Sequence, residues 1–134
     1  MGPETQFDVD VESRNGVARL ALRGELDMQT VDRLSPWLEW AERDGASEIV
    51  LDLRDLTFVG STGLHSFLHA WDRAGTNGHR VVFVGVTRPT RRLFEMTGAE
   101  HMLDEREAIS TLEQFVRPSR DRSRLYEGAV DQGG

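Results

Sequence analysis

Cysteine and lysine are both missing from the 134 residues. Without cysteine there is no disulfide, no thiol nucleophile and no thiolate metal site, which fits a reducing cytoplasm. Without lysine, all 16 basic residues are arginine. That excludes a Walker-type phosphate loop, a Schiff-base lysine and the phosphate-pairing lysine of a protein kinase. No run approaches the roughly 18 apolar residues of a membrane span. Residues 1–6 carry neither the basic nor the apolar region of a signal peptide, so the expected place is the cytoplasm, with no insertion into a membrane. The length suits one domain that buries roughly two thirds of its unfolded surface, plus a short tail.

The formal net charge of −7 argues against nucleic acid and anionic membranes as partners. The charge is unevenly placed. Residues 1–55 hold six arginines against thirteen acids, and residues 56–134 hold ten of each. A partner with a basic face is steered to the first half; a solvated acidic surface that aids solubility explains the charge equally well.

Phe7–Glu12 alternates apolar and acidic residues, Asn15-Gly16 supplies positive φ for a tight turn, and Val17–Arg23 alternates again. This pattern predicts a β-hairpin. Asp27 is the expected N-cap of a helix to about Asp44, with Val31, Leu34, Leu38 and Ala41 on one stripe. Pro36 is expected to kink that helix or to restart it with Ser35 as cap. Glu48–Leu53 reads as a third strand, and Leu64, Phe67, Leu68 and Trp71 as the buried stripe of a second long helix ended by a turn at Gly75–Gly78. The apolar run Arg80–Val86 predicts a central strand. A short helix from Pro89 to Gly98 buries Leu93, Phe94 and Met96, and His101–Leu103 reads as a brief edge strand. Asp104 and Glu107 resemble a capping box for a last helix to Val116. The polar residues 118–134 read as a disordered tail. Helices between successive strands require parallel pairing with right-handed crossovers. The expected fold is therefore α/β, a compact mixed sheet of an N-terminal hairpin plus parallel strands. Its alternating strands put the helices mainly on one face.

Gly60-Ser61-Thr62-Gly63 joins a strand to a helix, where backbone N–H groups and the positive helix end welcome an anion. The plain alternative is an N-cap between glycines. A nucleophile elbow needs glycine two residues before the serine, where Val59 stands. His65, His69 and Asp72 have spacings that bind zinc, but the glutamate of H-E-x-x-H is absent and a solvated polar face accounts for them. Asp52 and Asp55 are assigned turn and surface roles. Trp37 and Trp40 suit a contact surface or core packing. Residues for catalysis or for a metal or cofactor are not assigned.

Three stretches then point one way. Leu20–Leu34 (LALRGELDMQTVDRL), Ile49–Leu64 (IVLDLRDLTFVGSTGL) and Val86–Gly98 (VTRPTRRLFEMTG) resemble segments of the STAS family, the anti-sigma factor antagonists. The resemblance covers about residues 7–116, gives a STAS domain at residues 7–117, and implies a STAS-like fold. It also implies a non-enzymatic switch protein. Such a protein binds an anti-sigma factor, usually a serine kinase of the GHKL ATPase type, and frees a sigma factor; a serine phosphatase restores the active form. Carried across by position, the phosphoacceptor is Ser61, with Thr62 as the alternative. The partner surface is Gly24, Glu25, Leu26 and Asp27 with Gly60, Ser61, Thr62 and Gly63. Gly60 stands where the family pattern has aspartate, so no carboxylate is there to order the loop or assist phosphoryl transfer. Small STAS proteins also serve as subunits of membrane lipid-transport assemblies that dock on an ABC ATPase, a rival that no sequence feature excludes. A metal-dependent enzyme using His65, His69 and Asp72 is a third reading.

Overall fold

A computed structural model describes residues 6–103. Strands β1 (Phe7–Arg14) and β2 (Val17–Leu26) form the hairpin, in register from Phe7↔Gly24 to Arg14↔Val17. Its turn residues Asn15 and Gly16 both have positive φ, 52° and 81°, as a tight two-residue turn requires. Helix α1 (Val31–Arg43) then leads to β3 (Glu48–Val59), α2 (Ser61–Asn77) to β4 (Arg80–Val84), and α3 (Arg88–Met96) follows. The strands lie in the order β1-β2-β3-β4, with β2, β3 and β4 parallel. The mixed sheet and its three described helices match the expected class.

One face of the sheet makes the main core. Leu20, Leu22, Leu51, Leu53 and Phe83 meet Leu34 and Leu38 of α1, Phe67 of α2 and Phe94 of α3. The rings of Phe67, Phe83 and Phe94 pack together, with centroids 5.4 to 6.3 Å apart.

The second face is less open than strict alternation suggests. Val17, Val50, Val82 and Val84 form a separate buried cluster there. Beside it lies Asp52, which is not a surface turn residue: it is 2% exposed. Arg19 holds it at 2.6 Å and Arg54 Nε at 2.9 Å, because a carboxylate taken out of water needs charged partners. The continuous apolarity of β4 reflects these two buried faces and not a central position; among the described strands β4 is terminal.

Several boundaries move for local reasons. The Asp27 carboxylate accepts the Gln29 N–H at 2.9 Å, so it closes a turn and α1 starts later, with Thr30 as N-cap. Pro36 sits inside α1 with no restart at Ser35. Helix α2 runs through Gly75 to Asn77, and only Gly78, at φ 82°, ends it. Glu100–Met102 is a 3₁₀ turn where a strand was expected, which buries Met102 beneath α3. Met96 is 74% exposed and not in the core. Strand β3 runs six residues past Leu53, because two register shifts against β2 absorb its extra residues and carry the pairing to Leu26↔Val59. The last helix expected at residues 104–116 and the tail at 118–134 lie outside the described residues.

Glu12 gives the second face a pH dependence. It is 7% exposed; Arg14 reaches one oxygen at 3.1 Å, while the other lies 4.0 Å from Arg19 and accepts no hydrogen bond. Burial raises its pKa above the ordinary 4.5, with Arg14 and Arg19 opposing. The raised value means that the protonated form favours folding: that stability is present below the ordinary carboxylate range and is lost as pH rises through Glu12's own pKa. Glu12→Gln removes the ionisation. Chemical denaturation at about pH 3.5 and about pH 7 is expected to show the variant gaining on the wild type at the higher pH; a pH-independent difference contradicts this.

Candidate functional site

Two segments meet at the C-terminal ends of β2 and β3. Gly24, Glu25 and Leu26 are the end of β2, not a loop. Gly24 has φ 101°, and a Cβ there lands 2.2 Å from the Gln6 carbonyl oxygen, so only glycine fits. The Glu25 N–H donates to that same carbonyl. Leu26 is fully buried, and its carbonyl accepts the Gly60 N–H at 2.9 Å. A Cβ on Gly63 comes within 2.9 Å of both that carbonyl oxygen and the Leu26 Cγ. The first turn of α2 therefore rests directly on the end of β2.

Thr30 fixes the other side of this contact. It is fully buried; its hydroxyl donates to the Glu25 carbonyl at 2.7 Å and accepts the Asp27 N–H at 3.0 Å. Nothing in the sequence marks this threonine among its neighbours, since its role depends on a turn that the pattern does not show. Phe58 was also overlooked. It is 53% exposed and lies 3.3 Å from where a Gly60 Cβ would stand.

Ser61 is exposed at the first position of α2, Thr62 is half-buried and Gly63 is buried. The first N–H groups of a helix have no intrahelical partner, and among the described residues no side chain caps them here. Thr62 is thus not held as a cap. Gly60 has φ −92° and ψ −179°, extended backbone that any residue adopts, so its conformation does not demand glycine. Asp27 is the acid beside it, with its Cβ 3.7 Å from the Gly60 Cβ position; Glu25 and Asp32 are exposed nearby in the chain. Of the eight residues singled out from the sequence, Glu25 and Ser61 are exposed and Gly24, Asp27, Gly60 and Thr62 half-buried, while Leu26 and Gly63 are buried and join the two segments from beneath.

The matching family model is that of the STAS domain, over residues 8–115. The chain belongs to the STAS domain family. It is 31% identical over 93 residues to the anti-sigma F factor antagonist of Paenibacillus polymyxa, covering 69% of this chain and 80% of that one. It is 27% identical over 97 residues to the anti-sigma-B factor antagonist of Staphylococcus aureus, covering 72% and 90%. The fold matches the anti-sigma factor antagonist SpoIIAA, the Bacillus cell fate determinant, in its unphosphorylated and phosphorylated forms, with TM-scores 0.65 and 0.62 at 22% and 20% identity. Those matches cover 82% and 78% of this STAS chain and 100% and 99% of SpoIIAA.

Of the remaining candidates, His65 and His69 follow Thr62 along α2 and line one pocket with it. His65, His69 and Asp72 are exposed along α2, and among the described residues no group of three or more His, Asp or Glu is placed to hold a metal ion. Asp52 is committed to Arg19 and Arg54. Trp37 is 39% exposed and meets Trp40 edge-on at 6.2 Å.

Two glycines of one helix test the close approach. Gly63→Ala forces its methyl into Leu26, an overpacking that costs about 1–3 kcal/mol. Gly75→Ala meets nothing within 4 Å and gains about 0.5–1 kcal/mol of helix propensity. Thermal melts are expected to move in opposite directions; a shift of the same sign for both contradicts the packing described.

Proposed function

We propose that this STAS protein is an anti-sigma factor antagonist. It binds an anti-sigma factor of the serine-kinase type, so freeing a sigma factor, and phosphate on Ser61 breaks that complex. The chain acts by docking and not as an enzyme, and it works in the cytoplasm. The observation that carries this reading is the exposed Ser61 residue at the N-terminus of α2, where Gly60 supplies no side-chain cap and Asp27 lies beside it. The names of the two curated relatives supply the partner class.

The chemistry follows from that position. In the kinase–ATP complex, Ser61 Oγ takes the γ-phosphoryl group as the bond to ADP breaks and the hydroxyl proton passes to solvent; a serine phosphatase later hydrolyses the ester to serine and inorganic phosphate. The phosphate gains the unpaired N–H groups and the positive end of α2, so the fold tolerates it. The docked surface does not. About −1.5 to −2 charges appear next to Asp27, and within a complex they must be desolvated without a counter-charge. Gly60 leaves the kinase without the aspartate that the family pattern places before the acceptor. The backbone there accepts one, although its Cβ displaces the Phe58 ring by a few tenths of an ångström and its carboxylate joins Asp27.

With the cognate anti-sigma kinase, Ser61→Asp is expected to weaken binding at least about tenfold, or 1.4 kcal/mol. Ser61→Ala is expected to bind and to take no phosphate. Peptide mass spectrometry after incubation with ATP is expected to place the phosphate on Ser61. Phosphate on Thr62 moves the site by one residue. No phosphate on either, with binding intact, means a constitutive antagonist, and Gly60→Asp then restores the transfer if the missing carboxylate is the cause.

A further inference from the structure

Beyond Asp52, β3 keeps β2 on one side but has no described strand on the other. The β3–β4 register ends at Asp52↔Val84, and Gly85, at φ 65°, turns the chain away towards α3. A cleft of about 500 Å³ opens between the end of β3 and α3. Phe58 and Val59 line one wall, and Pro89, Leu93 and Met96 the other. Phe58 is 53% and Met96 74% exposed, so two large apolar side chains stand in water at the mouth of one groove. Apolar side chains exposed together at one groove, and not scattered singly, are the pattern of an interaction site.

Charge identifies the occupant. Arg92 lines the cleft, and Arg88 stands one turn earlier on the same face of α3. Both are exposed, and neither has an ion-pair partner among the described residues. In a chain of net charge −7, with Asp27 beside Gly60 and Glu25 exposed close by, this is a local reversal of sign. We infer that the cleft docks an acidic peptide segment of a protein partner, anchored by large apolar side chains. The anchors enter between Phe58 and Met96, and carboxylates of the segment face Arg88 and Arg92. This inference goes beyond the Ser61 switch and does not require it, although Phe58 places the two surfaces side by side.

The test uses the ¹⁵N-labelled full chain and two synthetic peptides, one alternating glutamate with leucine and phenylalanine, the other with lysine in place of each glutamate. The acidic peptide is expected to shift the resonances of Phe58, Leu93 and Met96, and to bind at least about tenfold more tightly than the basic one. The double variant Arg88→Glu/Arg92→Glu is expected to remove that preference. Phe58→Ser and Met96→Ser, both at exposed positions, are expected to weaken the acidic peptide without unfolding the chain. Ser61→Asp is expected to leave peptide binding unchanged, so failure of the phosphate switch and failure of this site give different results. Equal binding of the two peptides, or shifts confined to α1 and α2, overturns the inference. Nuclear Overhauser contacts from residues 119–134 to Phe58 or Met96 in the free chain also overturn it, since they assign the groove to the chain's own tail.

Discussion

The close approach of Gly63 to Leu26 is the contact on which the candidate site depends. With no side chain at Gly63, the first turn of α2 lies against the end of β2, and the Gly60 N–H reaches the Leu26 carbonyl. Leu26 is at once the last residue of β2, a fully buried core side chain and the floor beneath Ser61. The position of the Ser61 hydroxyl is thereby tied to the packing of the sheet. Thr30 holds the other flank through Glu25 and Asp27, so Asp27 and Ser61 are both anchored to the end of β2.

On the proposed reading, that arrangement lets phosphate at Ser61 act on docking without disturbing the fold. Phosphate at a helix N-terminus is electrostatically welcome to the helix and unwelcome to a partner that has to dry the same surface. The two effects act on different equilibria. The all-arginine composition bears on the second face of the sheet: Arg19 and Arg54 hold both oxygens of the buried Asp52 with planar, directional donors. This stabilises the second face of the sheet, where Glu12 lacks comparable partners and has its pKa raised by burial.

Much of the fold was legible because periodicity and turn chemistry are local. Asn15-Gly16 marked the hairpin, and the stripe of Leu64, Phe67 and Trp71 marked α2. Gly60–Gly63 stood out as a strand-to-helix junction on its own chemistry, whereas the role expected for Ser61 and the choice of Gly24–Asp27 came only from the three stretches that resemble a family. What stayed hidden depends on contacts between distant residues. The register shifts that extend β3 are visible only against β2, the terminal position of β4 only in the assembled sheet, and the buried role of Asp52 only with Arg19 across the strand. Thr30 and Phe58 escaped for the same reason. A threonine before a helix and a phenylalanine near a strand end look ordinary until their neighbours are known.

The most direct test of the central claim is calorimetric titration of the cognate anti-sigma factor with two forms of the full chain, unmodified and carrying phosphoserine at position 61. The account predicts that the unmodified chain binds and that phosphoserine weakens binding by at least about tenfold, while the two forms keep superimposable circular dichroism spectra. Equal affinities contradict it, as does a loss of binding that accompanies loss of the folded spectrum.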